Sequence, residues 1–241
     1  MMLRWIVSAL FLFQIYVMMV VIGLLWAPWA YFSRDGAYHC CKSYSRWVFW
    51  TARWMVGIET EVRGRPPEGE VIVAAKHQSF LDVMMIFTAL PRARFVMKQA
   101  ILYTPVIGLY GKRLGCVPVV RGKGGSLAKM VQDVAAEYGD LGQLTIYPQG
   151  TRVEPGAEKP YKVGTYALYS ETGQTVVPVA VNVGLFWPRQ GILRKPGKAV
   201  VEFLDPIEPG LDQATFMAVL EDSIETRSNA LMAEGGFSPK T

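Results

Sequence analysis

One of the two histidines in the chain stands five residues before an aspartate, in the segment KHQSFLD. His77 and Asp82 would form a general base if they were hydrogen-bonded, because the carboxylate holds one ring nitrogen while the other accepts a proton. On one continuous helix the two side chains would lie about 140° apart. They meet only if the chain turns at Gln78 and Ser79, with Ser79 capping the helix that follows. By itself the pattern also fits an ordinary loop histidine and a helix-start aspartate.

A second group of polar side chains follows a predicted strand in the segment PQGTR. Gly150 permits a tight turn or close backbone approach, Thr151 offers a hydroxyl, and Arg152 offers a forked guanidinium. With Gln149 beside them, these groups suit a phosphate or a carboxylate. Alone, the segment also fits a glycine turn followed by a solvated arginine.

Two more basic residues stand where predicted strands end. Lys98 closes one strand, and Arg121 closes another in the segment GCVPVVRG, which leads into a loop rich in lysine and glycine. Either could contact a phosphate, although the P-loop pattern is absent and Lys98 alone also fits a solvated surface lysine. Pro178 lies in the apolar run VPVAVN, which on its own indicates architecture rather than chemistry.

Short apolar runs alternate with helical patterns in the body of the chain, and this predicts an α/β fold with a largely parallel sheet. In such folds functional groups gather beyond the carboxyl ends of the strands, where KHQSFLD and PQGTR both stand. The predicted strands cover residues 71–75, 94–97, 116–120, 144–147, 176–182 and 199–204, and the predicted helices cover residues 82–90, 127–138, 165–172 and 213–233.

The N-terminal segment lacks charged residues from position 5 to position 32. Such a run is long enough to cross a bilayer core of about 30 Å, and it is longer than the apolar part of a typical signal peptide. A second helix is predicted at residues 36–56, where Lys42, Arg46 and Arg53 share one stripe beside a tryptophan stripe. This pattern is typical of a helix in the headgroup region. We therefore expect membrane-anchoring helices at residues 1–60 and an α/β domain at residues 61–241.

The basic residues around the apolar run indicate its orientation. Arg4 precedes the run, whereas Arg34 and the three basic residues of the second helix follow it. By the positive-inside rule, the body of the protein then lies on the cytoplasmic side. A spanning helix and a re-entrant helix pair both fit this pattern.

The composition of the chain indicates which kinds of binding partner it favours. The 241 residues carry a net charge of +5, and 51% of them are hydrophobic. A basic chain suits a phosphate group or an anionic membrane, whereas dispersed basic residues disfavour nucleic acid. The three cysteines match neither a disulfide framework nor a zinc site, so we expect a reducing compartment and no metal.

The order of these motifs is more specific than any one of them. H-x-x-x-x-D, a lysine, G-x-x-x-V-x-R, P-x-G-T-R and V-P-V follow one another across residues 76–182. This order resembles the glycerolipid acyltransferase family, in particular its bacterial 1-acyl-sn-glycerol-3-phosphate acyltransferases. The resemblance covers the body of the chain, and the N-terminal helices look like the family's membrane anchor.

The resemblance implies a function and a set of roles. The enzyme would transfer an acyl chain from acyl-CoA or acyl carrier protein to the sn-2 hydroxyl of lysophosphatidic acid, on the cytoplasmic face of a bacterial inner membrane, and would need no further cofactor. His77 would be the base and Asp82 its orienting partner. The resemblance gives the remaining site residues to substrate binding: Lys98, Arg121 and Arg152 on the phosphate, Gly150 and Thr151 shaping that pocket, and Pro178 lining the acyl or acceptor site.

Two positions depart from the family pattern. Lys76 stands where the family usually has asparagine, and Gln149 stands where it usually has glutamate. A glutamine still donates and accepts hydrogen bonds, so we expect Gln149 to belong to the substrate-binding residues, where it positions Arg152 or the acceptor and takes no part in proton transfer. An acyltransferase for another lysolipid, such as lyso-ornithine lipid, and a non-catalytic lipid-binding protein of the same fold are the alternatives.

Overall fold

The structure is a computed structural model that describes residues 2–119, 126–135 and 142–238. Within these residues, a seven-stranded sheet is flanked by helices and preceded by a helix pair. The strands are β1 (Ile58–Arg63), β2 (Val71–Ala75), β3 (Ala93–Lys98), β4 (Val117–Val119), β5 (Gln143–Ile146), β6 (Val176–Val181) and β7 (Gly197–Phe203). The helices are α1 (Met2–Phe32), α2 (Arg34–Thr51), α3 (Phe80–Ala89), α4 (Pro105–Arg113), α5 (Ser126–Ala135), α6 (Gly164–Thr172) and α7 (Gln213–Glu234).

The sheet has the strand order β1-β7-β6-β2-β5-β3-β4. The five strands from β6 to β4 run parallel, whereas β7 is antiparallel to β6 and pairs in parallel with β1. The predicted α/β fold with a largely parallel sheet is therefore confirmed. Because β2 and β5 are neighbours, the segments that follow them leave the same edge of the sheet side by side.

Alternation along β2 divides its side chains between two apolar cores. Val73 and Ala75 join the core beneath α2 and α3. Ile72 and Ala74 join the core on the opposite face, beneath α6 and α7. The alternation continues just after β2, so consecutive side chains there point to opposite faces of the sheet.

The two N-terminal helices form an antiparallel hairpin, and α2 continues through a π-helical turn, Ala52–Val56. Gln14 of α1 ties them together: its Oε1 accepts a hydrogen bond from Trp47 Nε1 at 2.8 Å, and its Nε2 donates to Thr51 Oγ1 at 3.0 Å. The hairpin also packs against the body, where the Tyr110 hydroxyl of α4 donates to the Gly23 carbonyl at 2.6 Å.

Among the described residues, α1 is the one helix long and apolar enough to cross a membrane. Most of its apolar surface faces outward from the protein. Trp50 and Trp54 of the tryptophan stripe are exposed near the same end of the hairpin as the start of α1, whereas Trp47 is half-buried. Lys42 differs from that prediction, because it is half-buried and its Nζ donates to the Leu90 carbonyl at 2.8 Å.

The structure contains two elements that the sequence patterns did not predict. Strand β1 spans residues 60 and 61, where the two predicted domains meet. Helix α4 follows a 3-10 turn, Gln99–Tyr103, in a stretch that carried no prediction. Both elements extend the body of the protein toward the hairpin.

Candidate active site

The chain turns sharply after β2 and then enters α3. Ser79 is the N-cap of this helix, and its Oγ accepts a hydrogen bond from Leu81 N at 3.2 Å. Asp82 in the first turn accepts from Gln78 N at 2.9 Å and from Ser79 N at 2.7 Å through its Oδ2. These bonds form a capping box, so α3 begins two residues before the predicted helix and the expected turn at Gln78 and Ser79 is present.

The turn brings His77 and Asp82 together, with Nδ1 of the histidine 2.8 Å from Oδ1 of the aspartate. Asp82 is fully buried, and an ionised carboxylate only accepts hydrogen bonds, so Nδ1 carries the hydrogen. The other ring nitrogen, Nε2, is then left with a lone pair. The His77 side chain is 17% exposed, which leaves it accessible to a substrate.

Tyr147, at the end of β5, completes the surroundings of this pair. Its ring stacks on the His77 imidazole with centroids 3.9 Å apart and planes 20° apart. Its hydroxyl donates to Asp82 Oδ1 at 3.2 Å. Burial raises the pKa of the Tyr147 hydroxyl, and the negative charge of Asp82 raises it further, so the phenol stays a donor. The sequence prediction missed this residue, although its place just before PQGTR at a strand end was a usable signal.

The segment after β5 folds back beside the His77 turn. Gly150 adopts a φ of +66°, and its N–H donates to the Tyr147 carbonyl at 2.8 Å, which closes a tight turn. Three residues later, Val153 N donates to the His77 carbonyl at 2.7 Å. This backbone bond joins the two predicted motifs directly, so Thr151 and Arg152 lie next to the segment that carries the base.

Basic side chains gather at this edge of the sheet. Arg152 and Lys98 are exposed, and neither has an ion-pair partner in the part of the chain that the structure describes. Lys162, which the sequence prediction missed, belongs with them: its N–H donates to the Pro148 carbonyl at 2.9 Å, and a Cβ built on Gly150 would lie 3.1 Å from its Nζ. These cations are suited to an anionic group placed beside His77.

The remaining predicted site residues have different outcomes. Arg121 lies outside the described residues. Pro178 sits inside β6, paired with Ala74, and is buried within the sheet rather than placed at its carboxyl edge. The second histidine, His39, stacks on Trp29 with ring centroids 5.0 Å apart and belongs to the N-terminal hairpin. No group of three or more metal-ligating side chains occurs among the residues described.

The fold and the paired motifs define a class of protein. A family model described as Acyltransferase matches residues 58–182, and the chain belongs to that family. The 1-acyl-sn-glycerol-3-phosphate acyltransferase of Pseudomonas aeruginosa is 29% identical over 163 residues, which are 65% of this chain and 62% of that protein. The mouse 1-acyl-sn-glycerol-3-phosphate acyltransferase alpha is 26% identical over 164 residues, or 65% and 57% of the two chains. The matches therefore span less than two thirds of these relatives.

A solved structure shares the architecture over nearly the whole chain. The 1-acyl-sn-glycerophosphate (LPA) acyltransferase PlsC of Thermotoga maritima superposes with a TM-score of 0.78. The match covers 95% of this chain and 97% of that one, at 18% sequence identity. The similarity therefore includes the N-terminal hairpin as well as the sheet, and at this level of identity it establishes the fold.

Proposed function

We propose that the protein transfers an acyl chain from an acyl thioester to the sn-2 hydroxyl of 1-acyl-sn-glycerol-3-phosphate, which yields phosphatidic acid. One observation carries the proposal: a partly exposed His77 is held at 2.8 Å by a fully buried Asp82, next to the turn of Arg152. The names of the relatives support the same acceptor.

His77 serves as the general base in this proposal. Its Nε2 removes the proton from the acceptor hydroxyl, whose oxygen attacks the thioester carbonyl carbon. The bond from carbon to sulfur then breaks, and the imidazolium returns the proton to the thiolate. Asp82 keeps the imidazole in the tautomer that exposes Nε2 and stabilises its protonated form. A positioned base of this kind contributes roughly 10²–10⁴-fold to the rate.

The phosphate of the acceptor is bound by the cations at the same edge. Arg152 and Lys162 come from the two ends of one loop, and Lys98 comes from the end of β3. The resemblance adds Arg121, which lies outside the described residues. Gly150 and Thr151 shape the turn that brings the phosphate close to the backbone. A cluster of several cations favours a phosphate monoester over a zwitterionic headgroup.

The acyl donor and the location belong to the same proposal. Acyl-CoA or acyl carrier protein supplies the thioester from the aqueous side, while α1 keeps the site at the bilayer surface. The basic residues that follow α1 favour the cytoplasmic face of a bacterial inner membrane.

The proposal is tested with purified protein in detergent. Thiol release is followed from acyl-CoA and from acylated acyl carrier protein, each with a panel of lysolipids. We expect release with lysophosphatidic acid and a loss of at least about 100-fold in His77→Ala. His39→Ala is the matched control, because it removes the other histidine, and it should retain the wild-type rate. Absence of release with every acceptor would refute the activity, and release that survives His77→Ala would refute the mechanism.

A further inference from the structure

Lys76, the residue before the candidate base, is buried on the opposite side of the sheet. Only 2% of its side chain is exposed. Alternation after β2 points His77 toward α3 and Lys76 toward α7. There the Lys76 ammonium forms an ion pair with Glu225 Oε2. A buried ammonium is costly without a counter-charge, so Glu225 is what allows a lysine at this position.

The same carboxylate reaches two other segments of the site. Glu225 Oε1 accepts a hydrogen bond from the Tyr161 hydroxyl at 2.9 Å and one from Gln149 Nε2 at 3.5 Å. Gln149 is 2% exposed and also donates to the Lys159 carbonyl at 3.2 Å. Burial raises the pKa of the Tyr161 hydroxyl, and the Glu225 charge raises it further, so Tyr161 remains a donor to this carboxylate.

Each of the three partners directly precedes a residue of the candidate site. Lys76 is followed by His77, Gln149 by the Gly150 turn, and Tyr161 by Lys162. One side chain of α7 therefore fixes three neighbouring backbone segments from behind. A shift of any of these segments would change the distance between the base and the phosphate-binding cations.

We propose that Glu225 is a positioning residue that sets the separation between His77 and the phosphate-binding turn. It acts through Lys76, Gln149 and Tyr161 and does not touch the substrate. Its kinetic consequence rests on the proposed function, because only an acceptor held by both groups senses their separation. Its structural consequence, a fixed environment for His77, does not depend on that function.

The kinetic experiment compares Glu225→Gln with Glu221→Gln, which makes the same change at an exposed position one turn earlier on α7. We expect Glu225→Gln to raise KM for lysophosphatidic acid and lower kcat, with kcat/KM reduced at least about tenfold. Glu221→Gln should leave both constants unchanged. The proposal is overturned if folded Glu225→Gln keeps wild-type constants, even if its thermal stability falls.

A charge swap provides the rescue. In the double variant Glu225→Gln/Gln149→Glu, the carboxylate moves to the other side of the 3.5 Å contact and stays within the same cluster. We expect the swap to recover most of the lost kcat/KM. Because it keeps one carboxylate and one amide at the cluster, it also serves if the single variant does not fold. A folded swap variant that shows no recovery contradicts the proposal.

An activity-independent measurement separates this inference from the proposed function. The two histidines give two sets of imidazole signals in a histidine-labelled sample, and His39 is the internal reference in the hairpin. We expect Glu225→Gln to move or broaden the His77 signals and to leave those of His39 in place. If the wild-type protein releases no thiol, the proposed function fails, and the histidine spectrum then decides the role of Glu225: unchanged His77 signals overturn it.

Discussion

At the scale of single residues, Asp82 is the centre of the candidate site. Its buried carboxylate receives hydrogen bonds from two backbone N–H groups, from His77 and from the Tyr147 hydroxyl. This coordination compensates for the loss of water around the charge. The same residue therefore begins α3 and orients the imidazole, so the start of the helix and the base are a single structural unit.

Tyr147→Phe tests how much the hydroxyl adds to this unit. The variant keeps the ring stacked on His77 and removes one of the four hydrogen bonds to Asp82. The hydroxyl shares Asp82 Oδ1 with His77, and its 3.2 Å hydrogen bond is long. We therefore expect the variant to lose about 1 kcal/mol of transition-state stabilisation, which corresponds to roughly a fivefold decrease in kcat/KM. Steady-state kinetics with lysophosphatidic acid measure the effect. A decrease comparable to that of His77→Ala would show that the phenol has a direct part in the chemistry.

The sequence predicted the pairing of His77 with Asp82, because a serine between them is a typical N-cap and indicates a turn before the helix. It did not predict Tyr147: the position just before PQGTR was a signal, but a tyrosine at a strand end also fits the pattern of a core residue. The role of Glu225 could not be predicted for another reason. It lies 149 positions from Lys76 in the sequence, and only the packing of α7 against the sheet brings the two side chains together. The roles of the predicted binding residues, including Arg121 and Pro178, stay predictions.

At the scale of elements, the alternation of strands and helices was sufficient to predict the central sheet, and the exceptions have physical causes. Strand β1 is an edge strand with a polar sequence, and its pairing with β7 rather than apolar periodicity defines it. Helix α4 contains Gly108 and Gly111, which lower helix propensity. A Cβ at Gly108 would lie 2.3 Å from the Leu102 carbonyl oxygen, so close packing requires the glycine.

Arg63 of β1 joins the edge of the sheet to the end of α7, with Glu61 and Glu234 each at 2.6 Å. Hydrogen bonds from Arg63 lower the pKa of both carboxyl groups below their usual value of 4.5. Groups with a lowered folded pKa stabilise the fold above the unfolded pKa and lose that contribution as the pH falls through the folded value.

We therefore expect Arg63→Gln to lower the melting temperature at neutral pH, with a difference from wild type that shrinks below pH 4.5. Melting curves across this pH range check the prediction. Arg65→Gln, which removes the same charge at an exposed position two residues further on, should have little effect at any pH. A difference between Arg63→Gln and wild type that grows toward acid pH would contradict the assignment.

At the scale of the whole molecule, the outer face of α1 and the exposed Trp50 and Trp54 form one apolar surface. The two tryptophan side chains are 60% and 77% exposed and stack with centroids 6.4 Å apart. The apolar run and the tryptophan stripe were legible in the sequence. Which side of α1 faces the body was not, because apolar residues surround this helix on all sides.

Replacing Trp50 and Trp54 by alanine should weaken membrane binding by at least about 100-fold, because burying each large apolar side chain contributes roughly 1.5–3 kcal/mol. Co-flotation with vesicles that contain anionic lipid measures the partitioning. Val219→Ala, at an exposed apolar position on α7, is the control and should bind as wild type does. Unchanged partitioning of the double variant would exclude these tryptophans from the membrane surface.

The inner face of α1 makes contacts with the body of the protein, and these contacts matter for the design of a water-soluble variant. Ser8 Oγ accepts a hydrogen bond from Arg194 N at 3.0 Å, and Phe11 packs edge-on against Trp187 at 5.3 Å. Deleting α1 to obtain a detergent-free protein would uncover Trp187 and the segment that holds it. A water-soluble version is better engineered by keeping the helix and replacing its outward-facing apolar residues with polar ones.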